Sequence, residues 1–132
     1  MRKIRVVAGA IVEDNRLLVA QRSTQMSSPL NWEVPGGKVE EEEEDREALI
    51  RELWEELAIR VSVQEHLGCS HVVVGEREIE MHVYFCSILE GVPQALEHEQ
   101  LLWASVEELL SLPWAEADVP LVDQFVGCLK GK

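Results

Sequence analysis

The stretch GKVEEEEEDREALIRELWEELAI, Gly37 to Ile59, changes its period part-way along. From about Glu43 to Leu57 the apolar residues Leu49, Ile50, Leu53 and Leu57 recur at helical spacing and form one stripe. Glu52, Glu55 and Glu56 stand at i, i+3 and i+4, so they share a face beside that stripe and emerge at the edge of the core. Like charges at this spacing destabilise a helix by a few tenths of a kcal/mol per pair. A hard divalent cation, which takes oxygen ligands, is the natural compensation. The run Glu40 to Glu44 ahead of the stripe reads instead as solvated charge suited to the positive end of the helix dipole, with Glu43 the exception argued below.

Working outward, Ile4 to Val12 and Arg16 to Ala20 are apolar, β-branched runs joined by Glu13-Asp14-Asn15, which predicts a hairpin. Ser23 to Asn31 is polar, contains Pro29 and reads as a loop. Trp32 to Val34 reads as a short strand that stops at Pro35-Gly36-Gly37. Beyond the helix, Val61 to Val74 and Ile79 to Leu89 read as two strands joined near Gly75-Glu76. In the second, Ile79, Met81, Val83 and Phe85 alternate with Glu80, His82 and Tyr84. Gly91 and Pro93 interrupt the chain before a short strand at Leu101 to Ala104. Ser105-Val106-Glu107-Glu108 has the spacing of a capping box opening a short helix that Pro113 ends. A last helix is expected over Val119 to Leu129, with Leu121, Val122, Phe125, Val126 and Leu129 turned to the core. Strands around a central helix, closed by a C-terminal helix, predict an α/β sandwich on a mixed sheet.

The 132 residues carry no repeat or linker and suit one domain. With 46% apolar and 28% charged residues the composition is that of an ordinary globular protein, and no apolar run approaches the ~20 residues of a membrane span. The basic start, Met1 to Arg5, is followed by a run too short and strand-like for a signal sequence, so a cytoplasmic protein is expected. A net charge of −13, concentrated around Glu40 to Glu56, repels nucleic acid but admits a small anion if divalent cations reverse the local sign. Cys69, Cys86 and Cys128 are odd in number and lack a CxxC pair, which argues against disulfides and zinc and for small, partly buried apolar residues. His66, His71, His82 and His98 share no ligand spacing and are assigned to no metal. Trp54, mid-helix, reads as packing.

Written out, Gly37, five residues, Glu43, seven residues, Arg51-Glu52-Leu53, one residue, Glu55-Glu56, one residue, Ala58-Ile59 resembles the Nudix box, G-x5-E-x7-R-E-U-x-E-E-x-G-U with U a bulky aliphatic residue. Ala58 replaces the final glycine, at about a kcal/mol if it must turn left-handed, and removes no ligand. The resemblance implies a Nudix-type α/β/α sandwich with a central mixed β-sheet, as a single domain over 1–132. It implies hydrolysis of a nucleoside diphosphate linked to another group, with Mg²⁺ or Mn²⁺ as cofactor. Glu52, Glu55 and Glu56 would be metal ligands, joined by the carbonyl of Gly36. Arg51 would orient the glutamates, Glu43 would organise the loop or the metal's waters, and Glu52 is the first candidate for general base.

Further stretches are similar to the MutT-type branch and to bacterial CTP pyrophosphohydrolases: Val19 to Arg22, Trp32 to Glu40, Glu97-His98-Glu99 before Trp103, and Ala117 to Pro120. They imply cleavage of a nucleoside triphosphate, CTP or dCTP or a modified nucleotide, to monophosphate and pyrophosphate. Glu97 would bind metal from outside the helix, with Glu99 as fallback and a surface loop as the plain alternative. Arg22 would contact phosphate or sugar, or else be a strand-end surface arginine. Asp118 would read the base, an ionised acceptor suiting cytosine's amino group, or else act as an N-cap before Pro120. Gly37, Trp32 and Val34 would line the substrate, with core packing the default for the last two. The runner-up substrates are 8-oxo-dGTP and other nucleoside-diphosphate derivatives, and a non-catalytic nucleotide sensor is the reading from a different class. The expected partner is a small nucleotide, with no nucleic acid and no membrane, and the chain is expected to act as a monomer or homodimer.

Overall fold

The computed structural model describes residues 1–129; residues 130–132, the end of the expected domain, lie outside the described part. The N-terminal apolar run forms β1 (Arg2–Glu13) and turns into β2 (Arg16–Gln21) through Asp14 and Asn15, at φ 51 and 58. Two consecutive left-handed residues, of types that tolerate them, match the twist of a tight hairpin. The chain then differs from expectation at the glycines. After β3 (Trp32–Glu33), which pairs with β2, it does not stop but crosses to β1 and pairs again as β4 (Gly36–Lys38). Pro35 makes the crossing, its carbonyl accepting from the Gly9 amide at 2.9 Å. Gly36 permits it, because a Cβ there would strike the carbonyl of Val7 and the Cα of Ala8.

The helix α1 (Asp45–Leu57) starts two residues later than its period suggested, because Glu44 caps it: the Glu47 carboxylate accepts from the Glu44 amide at 2.8 Å. The chain continues into β5 (Arg60–Val74), turns at Gly75 (φ 63) and returns as β6 (Arg77–Glu90). A strand β7 (Gln100–Ala104) leads into α2 (Val106–Ser111), with Ser105 and Glu108 forming the anticipated capping box. The expected last helix is divided into a 3-10 turn, Val119–Leu121, and α3 (Val122–Gly127). Pro120 falls in that first turn, and Leu121, Phe125 and Leu129 alone carry the buried side; Val122 and Val126 are only half-buried.

The sheet runs β3-β2-β1-β6-β5, with β4 added on β1 and β7 on β2. Only β1 with β6 is parallel among these pairings, so the sheet is mixed. Alternation sends Val7, Ile11 and Leu18 to one face against Leu49, Leu53 and Leu57 of α1, and Ala8, Leu17, Val19, Met81 and Val83 to the other against Leu109, Leu121 and Phe125. An α/β/α sandwich results. Each fully buried leucine of α1 contributes ~1.5–3 kcal/mol, which outweighs the repulsion among the glutamates beside it. Trp54 departs from its expected packing role: it is 47% exposed and stacks on the Arg60 guanidinium at 4.2 Å. Cys69 is likewise exposed, whereas Cys86 is buried and Cys128 half-buried. No described helix is long and apolar enough to cross a membrane.

Candidate active site

Helix α1 lays its acidic face across the β4 glycines. A Cβ at Gly37 would overlap the Glu52 carboxylate, so the bare glycine backbone is what lets that side chain lie against the sheet. Arg51 gathers the neighbouring acids. Its Nε and Nη2 donate to the two Glu43 oxygens at 2.8 and 3.0 Å, and its Nη1 donates to Glu52 at 2.9 Å and Glu55 at 3.3 Å. The Arg51 hydrogen bonds, helped by the Glu40 amide, hold the Glu43 carboxyl down at about 2. Glu43 thus separates from the solvated run around it and acts on Arg51, which in turn fixes Glu52.

Glu56 lies deeper, only 9% exposed, with Oε1 buried and without a partner among the described residues. Burial first, then the adjacent Glu52 carboxylate, then the charges of Glu33 and Glu97 push its carboxyl up to about 10. Glu55 is 51% exposed, and Glu97 is exposed yet close enough for its charge to reach Glu56. A set of hard oxygen donors with one orphaned buried oxygen, and with a proton held by burial and by the neighbouring carboxylates, fits a divalent cation.

A cavity of about 290 Å³ opens beside Glu56, bounded by Gly36, Gly37, Val34 and Asp118 and by Arg22, Glu33 and His98. Asp118 is 2% exposed, and its side chain makes no cap bond to the turn it precedes. It reaches instead to the Val34 amide, which donates to Oδ2 at 3.0 Å. Burial, reinforced by Glu33, pushes this carboxyl well above the usual range and favours its neutral form, the reverse of the ionised acceptor expected from sequence. Arg22 is part of the cavity wall rather than a free surface arginine: it donates to Glu33 Oε1 at 2.6 Å and to the Ser27 carbonyl at 2.6 Å. Trp32 does not line the cavity. It is buried in the core, where its backbone accepts from Ala115 and donates to Pro113, tying the loop that bears Asp118 to β3.

Two residues that sequence reasoning missed complete the wall. Glu33 places Oε2 2.8 Å from Nε2 of His98, whose Nδ1 is buried without a partner among the described residues. Glu33 was legible as the outlier of its strand, the acid between Trp32 and Val34. His98 was overlooked between two more obvious glutamates.

The family model described as NUDIX domain matches residues 3–125. The chain belongs to the Nudix family. Its Nudix relatives include the CTP pyrophosphohydrolase of Escherichia coli (strain K12), 43% identical over 126 residues that span 96% of this chain and 93% of that protein. The 8-oxo-dGTP diphosphatase of the same organism is 27% identical over 126 residues, covering 92% and 95%. The solution structure of the E. coli ORF135 protein superposes with a TM-score of 0.82 at 42% identity, covering 96% of this chain and 91% of that one. Membership of the Nudix family, together with the first of these relatives, identifies the chain as a pyrophosphohydrolase.

Proposed function

We propose that this protein hydrolyses a cytosine nucleoside triphosphate, CTP, dCTP or a modified form, to the monophosphate and pyrophosphate with Mg²⁺. The observation that carries this reading is one cavity whose lining combines Glu56, with its orphaned buried oxygen, and the buried Asp118, whose carboxyl is raised by burial. The similarity to a CTP pyrophosphohydrolase over nearly the whole chain supports the substrate class.

When bound, the divalent cation supplies charge neutralisation to the phosphates. The rest falls to the chain. Glu52, Glu55, Glu56, Glu97 and the Gly36 carbonyl would hold the cation, and Glu56 would release its proton to do so. Glu52, steadied by Arg51, accepts the proton of the attacking water, while Glu43 keeps Arg51 in position. Arg22, fixed by Glu33 and Ser27, faces the cavity as a phosphate or sugar contact. A neutral Asp118 offers both a donor and an acceptor, which complements cytosine's ring nitrogen and exocyclic amino group. The free cysteines among the described residues support a reducing, cytoplasmic setting.

The test is a panel of CTP, dCTP, 5-methyl-dCTP and 8-oxo-dGTP with Mg²⁺, scoring pyrophosphate against phosphate. Pyrophosphate release with a cytosine nucleotide at the highest kcat/KM is the expected result. Preference for 8-oxo-dGTP would overturn the substrate, and phosphate release the bond cleaved.

A further inference from the structure

A second group of ligating side chains lies away from this cavity, on the β5–β6 ribbon. Antiparallel register sets Cys69 opposite His82 and His71 opposite Glu80. His66 and Cys69 are three residues apart and would face opposite sides of a regular strand. The register shift between His66 and Gly68 absorbs one residue, and both then turn toward His82. His82 is the centre of the group: its Nε2 is 3.6 Å from Cys69 Sγ and 2.6 Å from Glu80 Oε2, and its Nδ1 is 2.9 Å from His66 Nε2. His71 Nε2 approaches the other Glu80 oxygen at 3.3 Å.

We propose that Cys69, His82 and Glu80 form a site for a borderline transition cation of the Zn²⁺ class, separate from the glutamate centre. Their donor atoms lie within 4.8 Å of one another. Metal–donor bonds of ~2.0–2.3 Å in tetrahedral geometry set donors roughly 3.5 Å apart, which the sulfur–imidazole separation already meets. The Glu80–His82 contact must open by about an ångström from that tetrahedral spacing, and Glu80 is exposed enough to swing. One thiolate, one imidazole and one carboxylate select against Mg²⁺, which prefers oxygen alone. His66 serves as the outer partner that fixes the His82 ring, leaving Nε2 for the cation. Arg5 donates to the same Glu80 oxygen at 3.1 Å, but Asp45 holds that guanidinium at 2.7 and 2.8 Å, so the thiolate and Glu80 together still call for a dication. Exposure of Cys69 leaves room for water as a fourth ligand.

The experiment is a Co²⁺ titration of the full chain under excess Mg²⁺, which occupies the oxygen donors of the glutamate centre. A thiolate-to-cobalt charge-transfer band that saturates at one ion per chain and is bleached by Zn²⁺ is expected. Cys69→Ala abolishes the band, Cys128→Ala leaves it, and His66→Ala weakens Co²⁺ binding about 10- to 100-fold. Absence of the band in the wild-type chain, or its survival in Cys69→Ala, overturns the site. Circular dichroism of each variant separates loss of the ligand from loss of the fold.

Discussion

The main-chain N–H of Val34 donates to Oδ2 of Asp118 at 3.0 Å, joining residues 84 positions apart at the wall of the cavity. Strand β3 and the C-terminal loop therefore reach their positions together, and Asp118 has a structural role beside the one proposed for it toward the base. Asp118→Ala should lower kcat/KM for the cytosine nucleotide roughly 10- to 100-fold, the loss of one good base contact. It should also cost about 1–3 kcal/mol of stability, because the Val34 amide is left buried and unpaired. Asp118→Asn restores an acceptor and a donor and should keep the cytosine preference within a few-fold. A collapse of that preference in the asparagine variant would show that an ionised aspartate reads the base. Steady-state kinetics and thermal melts separate the two effects.

Replacing the carboxylates proposed to act on water and cation tests chemistry apart from folding. Glu52→Gln should reduce kcat by about 10²- to 10⁴-fold, the range for losing a general base. Glu56→Gln should act chiefly through weaker cation binding, so added Mg²⁺ recovers part of its rate. Glu56→Gln should melt no lower than the parent in the absence of metal, since a neutral amide replaces a carboxyl that burial and Glu52 already keep protonated.

The proton on Glu56 makes stability pH-dependent in a stated direction. Its folded value, about 10, exceeds its ordinary 4.5, so the native chain binds more protons than the unfolded one between these limits. The contribution is complete below 4.5 and is lost as pH rises through about 10. Melts of metal-free protein should show stability from this group falling across that window, and Glu56→Gln should flatten the slope. Mg²⁺ binding at neutral pH should release protons, measurable by calorimetry in buffers of different ionisation enthalpy.

Adjacent glycines should fail differently. Gly36→Ala drives a methyl group into the backbone of Val7 and Ala8, which cannot yield, and should abolish soluble folded protein. Gly37→Ala meets a side chain, the carboxylate of Glu52, which can rotate away. It should fold and lose activity, as circular dichroism and pyrophosphate assays would reveal.

Ala58 closes α1 at φ 59, ψ 36, its amide bonded to the Trp54 carbonyl at 3.0 Å. Left-handed alanine costs about 1 kcal/mol, so Ala58→Gly should raise the melting temperature by a few degrees with activity unchanged. A lower melting temperature would mean that the freedom glycine gains in the unfolded chain dominates.

Periodicity made most of this fold readable. The stripe Leu49, Leu53 and Leu57 located α1, and Asp14-Asn15 located the first hairpin, because both signals are local. The β4 pairing was hidden because glycines carry no strand preference, and only the backbone of β1 gives Gly36 its place. In the candidate site the helical spacing put Glu52, Glu55 and Glu56 on one face, and Arg51 lies against Glu52 and Glu55. The Glu33–His98 contact and the burial that raises the Asp118 carboxyl were not readable. Each depends on residues far apart in the chain and on burial that no single segment reveals. The approach of His66 to His82 was invisible for the same reason, since a register shift between His66 and Gly68 creates it.

Strand β1 pairs in parallel with β6 from Arg2–Arg77 to Ile11–Cys86, and helix α1 lies between the partners in sequence. Folding therefore turns on a long-range closure that no local hairpin can replace, which puts it toward the slower, millisecond-to-second range. During synthesis at ~5–20 residues per second the apolar first strand waits several seconds for its neighbour to emerge from the ribosome. In that interval its free edge can pair with other chains, and chaperones or low nascent-chain density set the yield of enzyme.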